Sequence, residues 1–201
     1  MNFKDFVETA WAVKPVLLTT ATNGLSAETD RLLAVAWKPA DSKIPRTIYR
    51  DTNLEPLNKA QKYHGISNEM MMTEGLDEDL FKEQLEEIFE ENTVVFTYNT
   101  AFQLSFLQQI TDKPMKVYDL SVIDQALTNG LTFDTEEIVS FNGFYGACAS
   151  RYYPMKVANI LKRYKLTRET APGQLPLEKM LEVLSCVYHA VSDLEIQLLP
   201  S

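Results

Sequence analysis

His189 and Asp193 are the two residues of this chain whose types and spacing most directly suggest chemistry. They stand four positions apart near the end of a helical pattern, so their side chains share one face of the helix. An imidazole is the commonest general base, and a carboxylate is a preferred ligand of hard divalent cations. The pair therefore predicts either the end of a catalytic site or a packed helix end joined by a hydrogen bond.

A second group of candidate residues lies between positions 151 and 168, where the chain has no acidic residue. Basic side chains can neutralise phosphates, and aromatic rings can stack on unpaired bases. The residues predicted to contact nucleic acid are Arg151, Tyr152, Tyr153, Lys156, Lys162, Arg163 and Lys165. The alternative is a solvated helix face whose charge balances the acidic residues elsewhere.

Length and charge limit what these residues can do. With 201 residues, the chain is predicted to form a single domain over positions 1–201. Positions 1–14 are interpreted as an N-terminal lead-in, and the aromatic-rich positions 131–154 as an insertion. The formal net charge of −9 repels nucleic acid at long range, so any nucleic-acid contact must come from a local patch.

The sequence also predicts a cytoplasmic protein without membrane contact. No apolar run reaches the roughly 18 residues of a membrane span, and the N-terminus lacks the pattern of a secretory signal. Cys148 and Cys186 are far apart and outside any close Cys/His ligand spacing, which argues against a thiolate zinc site. Two buried free thiols in a reducing compartment are expected instead.

The elements that must position the candidate residues form an α/β pattern. Three early apolar runs, centred on residues 16–18, 32–37 and 47–49, predict strands in an antiparallel meander because short loops join them. A later strand at 93–98, a helix from about residue 104 and a strand at 117–120 predict a parallel crossover. The expected fold is a mixed sheet, three antiparallel strands followed by parallel strands, flanked by helices.

Two further helices follow from apolar spacing. From Asp77, the residues Leu80, Phe81, Leu85, Ile88 and Phe89 predict a buried face, and most of the remaining positions are acidic. From Pro176, a final helix buries its own apolar stripe and carries His189 and Asp193 near its end.

Four segments, in order, retain the frames of known motifs. Residues 19–25 read Thr-Thr-Ala-Thr-Asn-Gly-Leu, 64–67 read His-Gly-Ile-Ser, 98–103 read Tyr-Asn-Thr-Ala-Phe-Gln, and 189–193 read His-Ala-Val-Ser-Asp. They resemble the Asp-x-Glu-Thr-Thr-Gly-Leu, His-Gly-Ile-Thr and His-Asn-Ala-x-Phe-Asp elements of DEDD-type 3′-5′ exonucleases and, in outline, their His-x-Ala-x-x-Asp element. This family has the ribonuclease H-like fold and includes the epsilon proofreading subunit of bacterial DNA polymerase III and its DnaQ-like relatives.

The resemblance implies two-metal phosphodiester hydrolysis with Mg²⁺ or Mn²⁺, and it also implies that this site is degenerate. Carried over by position, the metal ligands fall at Thr19, Ala21, Gln103 and Asp193, and the general base at His189. Asp193 alone is acidic, so two dications would lack the carboxylates that hold them. We therefore expect no bound cofactor, with Mg²⁺ or Mn²⁺ required if activity remains.

The function predicted from these residues is a catalytically inactive, DnaQ-like module that binds single-stranded nucleic acid or a protein partner. One alternative is an active 3′-5′ exonuclease with a relocated or single-metal site, using nearby acids such as Glu28, Asp30, Asp119 or Asp124. Another is a purely structural module for a protein partner. Whether the chain is an enzyme is thus left open by the sequence.

Overall fold

The structure is a computed structural model that describes residues 14–52, 58–89, 93–115, 117–120, 161–167, 169–170 and 172–198. Its strands are β1 (Lys14–Thr22), β2 (Leu32–Pro39), β3 (Arg46–Arg50), β4 (Gly75–Leu76), β5 (Thr93–Thr97) and β6 (Val117–Asp119). Its helices are α1 (Asn58–His64), α2 (Asn68–Glu74), α3 (Glu78–Ile88), α4 (Thr100–Leu107) and α5 (Pro176–Leu198).

The strands form one mixed sheet in the order β4-β3-β2-β1-β5-β6. β1 pairs with β2, and β2 with β3, in antiparallel register. β5 pairs with β1, and β6 with β5, in parallel register. The predicted fold class, a mixed sheet flanked by helices, is therefore confirmed. The two-residue strand β4, which lies parallel to β3, was not predicted.

Helices cover both faces of the sheet, and the two faces of β1 pack against different helices. Its side chains alternate, so Leu17 and Ala21 join the buried cluster that contains α5. Val16 and Leu18 face the opposite way and pack in the cluster formed with α3 and α4. The central strand is thus apolar on both faces, as a strand buried between two helical layers requires.

Helix α3 follows the predicted pattern with one exception. Phe81, Leu85 and Ile88 are buried at helical spacing, and Phe89 is buried just beyond the helix. Leu80 was also predicted to be buried, yet it is 40% exposed. It lies about 100° around the helix from Phe81, which places it beside the apolar stripe rather than on it.

Several predictions concern residues outside the described part of the chain. Lys14 begins β1, whereas positions 1–13 of the lead-in and the whole insertion at 131–154 lie outside it. Cys186 is a half-buried free thiol, and Cys148 is not among the described residues. No helix in the described ranges combines the length and the hydropathy needed to cross a bilayer.

Candidate functional site

Thr19 and Ala21 lie in the last part of β1, and both are buried. Thr19 stands opposite Ala36 and Ala21 opposite Ala34 in β2, and the register between the strands shifts directly after Ala21. Such an irregularity locally disrupts the hydrogen-bonded ladder and bends the strand, and β1 ends one residue later at Thr22. The strand therefore presents its final residues at an edge where the following loop opens a cavity.

Gln103 reaches the same edge from α4. Asn99 precedes this helix with φ 56°, a left-handed conformation that Asn tolerates, and the Thr100 amide donates to Asp119 Oδ2 at 2.8 Å. One turn later, Gln103 Oε1 accepts a hydrogen bond from the Thr20 amide at 2.8 Å. Gln103 Nε2 donates to the Tyr98 carbonyl at 3.4 Å. Its amide thus joins β1 to the segment before α4.

His64, at the end of α1, also lines this edge. It is 6% exposed, and its Nδ1 accepts a hydrogen bond from the Ile66 amide at 3.0 Å. Burial lowers the pKa of His64 to about 4, so the imidazole is neutral at physiological pH. Sequence reasoning used His64 only as part of the His-Gly-Ile-Ser frame and did not predict it as a site residue.

These residues enclose a cavity of about 440 Å³, here called the strand-end cavity. Its walls are Thr19, Thr20, Ala21, Thr22, Asn23, Gly24, Leu25, Ala60, Tyr63, His64, Phe102, Gln103, Pro176, Leu177 and Met180. The structure therefore brings together three of the predicted positions, Thr19, Ala21 and Gln103. The contribution of the first two turns of α5 was not predicted, because a helical pattern does not indicate where along the sheet the helix begins.

The side chains of the strand-end cavity do not fit a pair of divalent metal ions. None of the described residues that line it is charged, and their oxygen donors are hydroxyls, amides and backbone carbonyls. The Gln103 amide oxygen already accepts from the Thr20 amide. Among the described residues, no group of three or more His, Cys, Asp and Glu side chains is arranged to hold a metal ion. Two dications need several carboxylates, which this cavity does not present.

The structure places His189 elsewhere. It lies about 20 Å further along α5 than Pro176, at a rise of about 1.5 Å per residue. Its exposed side chain lines a second cavity with Pro15, Val16, Asp41 and Arg46, here called the opposite cavity because it adjoins the start of β1. Asp193 belongs to α5, one turn beyond His189. His189 therefore lines a different cavity from Thr19, Ala21 and Gln103.

Two of the nearby acids named as substitute ligands, Asp30 and Asp119, hold backbone amides. Asp30 Oδ2 accepts a hydrogen bond from the Ser26 amide at 2.8 Å, within the loop after β1. Asp119 is buried and holds the first turn of α4 through the Thr100 amide. Glu28 is exposed, and Asp124 is outside the described residues. None of the three described acids lines the strand-end cavity.

Three members of the predicted basic patch lie in the described chain. Lys162, Arg163 and Lys165 are all exposed, and the neighbouring Leu161 packs in the same buried cluster as α5. The other members, Arg151, Tyr152, Tyr153 and Lys156, fall outside the described ranges. A nucleic-acid role for this patch stays a prediction.

Comparison with known sequences gives no relative. No protein-family model matches the chain, and no curated protein matches it.

Solved structures do match. The product-bound structure of exonuclease I superposes with a TM-score of 0.63 over 92% of this chain, at 14% identity. E. coli exonuclease I in complex with a dT13 oligonucleotide gives 0.59 over 90%, at 16% identity. The zinc-ion-bound form of the E. coli ExoI–ssDNA complex gives 0.60 over 89%, also at 16% identity. This chain spans 45%, 40% and 40% of those chains, respectively. The likeness shows that the chain has the ribonuclease H-like fold of exonuclease I.

Proposed function

We propose that this exonuclease-fold protein does not hydrolyse phosphodiesters through two metal ions and acts instead as a binding module. The observation that carries the proposal is the strand-end cavity. At the positions where the resemblance expects metal-binding carboxylates, the structure has Thr19, Ala21 and Gln103, and no described residue that lines the cavity carries a charge. A base has no acidified water to deprotonate where no metal is held.

The Gln103 contacts support the same conclusion. A metal ligand keeps its oxygen available, whereas Gln103 Oε1 binds the Thr20 amide at 2.8 Å inside the protein. A buried amide that donates and accepts satisfies two backbone groups which would otherwise be costly to bury. Gln103 therefore has a structural role in holding α4 against β1.

Single-stranded nucleic acid is the first candidate partner. Lys162, Arg163 and Lys165 are exposed and can contact phosphates, and one of the structures with this fold is exonuclease I bound to dT13. A protein is the second candidate, because the net charge of −9 opposes nucleic acid and another neighbour is an ExoI/SSB-Ct complex. The two classes differ in the salt dependence of binding.

The proposal is tested by incubating the pure protein with 5′-labelled single-stranded DNA and RNA in Mn²⁺. The expected result is no 3′ trimming. Two variants show whether any trimming comes from this chain. Ala60→Leu places a larger side chain of helix α1 against the strand-end cavity. His189→Ala removes a side chain that lines the opposite cavity. EDTA-sensitive trimming that either variant abolishes would overturn the proposal, because the activity would then belong to this chain.

The same labelled strands identify the partner class. If the partner is nucleic acid, the affinity measured by fluorescence anisotropy falls steeply as salt rises, because bound phosphates release counterions. Lys162→Glu and Lys165→Glu should then weaken binding, whereas charge reversal at Lys82, an exposed lysine on α3, should not. If the protein shows no affinity for the labelled strands even at low salt, a protein partner is favoured.

A further inference from the structure

We propose that the opposite cavity is the docking site of residues 1–13 of the chain's own lead-in, which lie outside the described residues. The inference goes beyond the proposed function, because this cavity adjoins the start of β1 and the strand-end cavity adjoins its end. It assigns the cavity one occupant, an amphipathic segment of the same molecule.

The opposite cavity is large and has apolar side chains in its wall. Its volume is about 890 Å³. Val16 of β1, Ile88 at the end of α3 and Tyr188 of α5 line it, so both helical layers contribute to the wall. Trp37 of β2 also lines it and is only partly buried. An apolar wall of this kind is typical of a surface that another part of the chain or a partner covers.

The lead-in reaches this cavity through its covalent connection to β1. The strand begins at Lys14, and the next two residues, Pro15 and Val16, line the cavity. Trp11 is four residues before Pro15, so their Cα atoms are at most about 14 Å apart in any conformation. Such a short tether gives the lead-in an effective concentration of the order of millimolar at the cavity, so a weak affinity is enough for docking.

The sequence of the lead-in supplies a complementary apolar face. At about 100° per residue, helical spacing places five of its apolar residues within an arc of about 140°. These residues are Phe3, Phe6, Val7, Ala10 and Trp11. Asp5, Glu8 and Thr9 lie outside the arc. An isolated helix of this length is marginal in water, whereas an apolar surface that packs against its face would stabilise it.

The charges at the rim argue against a nucleic-acid strand as the occupant. Asp41 and Glu87 are exposed acids in the cavity wall, and Arg46 is the one arginine or lysine among the described residues that line it. A phosphate backbone would therefore meet a net negative rim. The apolar face of the lead-in needs no countercharge.

The two tryptophans of the chain, Trp11 and Trp37, provide one reporter on each side of the proposed contact. In the full chain with Trp37→Phe, Trp11 is the single fluorophore. We expect its emission at shorter wavelength, and its quenching by acrylamide to be weaker, than in the same protein unfolded in urea, because docking removes the indole from water.

Two substitutions in the lead-in form a matched pair in this background. Val7→Glu places a charge on the apolar face, so the Trp11 emission and quenching should shift to the values of the unfolded protein. Thr9→Glu adds the same charge outside the face and should leave both unchanged. The urea-unfolding midpoint of each variant distinguishes release of the lead-in from loss of the fold.

Trp37 and α3 locate the contact. In the full chain with Trp11→Phe, Val7→Glu should shift the Trp37 emission to longer wavelength, and Thr9→Glu should not. Gln84→Phe adds a ring to the cavity wall and should release Trp11. Glu83→Phe adds the same ring at the preceding residue of α3, which does not line the cavity, and should not release it.

Three results would overturn the inference. The first is quenching of Trp11 as strong in the folded protein as in urea. The second is a Trp37 emission that does not respond to Val7→Glu. The third is loss of the Trp11 protection on dilution, because the occupant would then be a second copy of the chain.

Discussion

At the scale of single residues, the strand-end cavity has hydrogen-bonding groups at the positions where the resemblance implies carboxylates. Two carboxylates about 5 Å apart repel by about 3 kcal/mol at an effective dielectric near 20, so a metal-free cluster of acids is costly. Thr19, Ala21 and Gln103 avoid this repulsion. Gln103 further contributes the bond between its amide oxygen and the Thr20 amide. These side chains are compatible with a stable fold that needs no cation.

His64 should make stability depend on pH. Its pKa is about 4 in the folded protein and 6.5 in the unfolded chain, so the unfolded state binds the proton more readily. The stability contribution is complete well above pH 6.5 and is lost as the pH falls toward 4. Between pH 6.5 and pH 5, the free energy of unfolding should fall by about 1.5 kcal/mol, measured by urea denaturation.

The chain has only two histidines, which provides a matched control. His64→Phe should remove most of the pH dependence in this range, although it also lowers stability because the Ile66 amide loses its acceptor. His189→Gln, at an exposed position, should retain the pH dependence. If His189→Gln removed it and His64→Phe did not, the assignment of a neutral, buried His64 would be contradicted.

At the scale of elements, the cavity depends on the contact between the end of α1 and the start of α5. Gly65 follows α1 with φ +79°, and a Cβ at this position would lie 2.6 Å from Pro176 Cδ. Only glycine allows both the left-handed backbone and this close approach. His64 and Tyr63 on one side, and Leu177 and Met180 on the other, are positioned by this junction.

Gly65→Ala should therefore destabilise the protein by at least about 2 kcal/mol, combining a left-handed backbone with the overlap against Pro176. Gly173→Ala is the matched control, because Gly173 has φ +80° but nothing within 4 Å of the added Cβ. Gly173→Ala should lower the free energy of unfolding only by the cost of the left-handed backbone, about 1 to 2 kcal/mol. Equal losses in the two variants, measured by urea denaturation, would contradict a packed α1–α5 junction.

At the scale of the whole molecule, the sheet was predictable and the placement of α5 was not. Alternation in β1 and the strand–helix–strand pattern around α4 are local signals, so the mixed sheet followed from them. The meeting of Thr19, Ala21 and Gln103 followed from the motif frames. β4 has only two residues and no pattern to detect.

The position of His189 could not be predicted for a physical reason. α5 has 23 residues, and every turn carries apolar side chains, so periodicity alone does not indicate which turn faces which edge of the sheet. The contact of Gly65 with Pro176 fixes the start of α5 beside the strand-end cavity, and this contact is between residues far apart in sequence. The spacing of His189 and Asp193 therefore predicts that the two residues share a helix face. It does not predict which edge of the sheet that part of the helix lies beside.

The strand-end cavity is proposed to hold no pair of divalent metal ions. The most direct measurement is a crystal structure of the protein soaked in Mn²⁺, with anomalous scattering used to locate the ions. No manganese peak is expected within coordination distance of Thr19, Ala21 or Gln103, because no described residue that lines the cavity has a carboxylate. One or two manganese ions bound at these residues would contradict it.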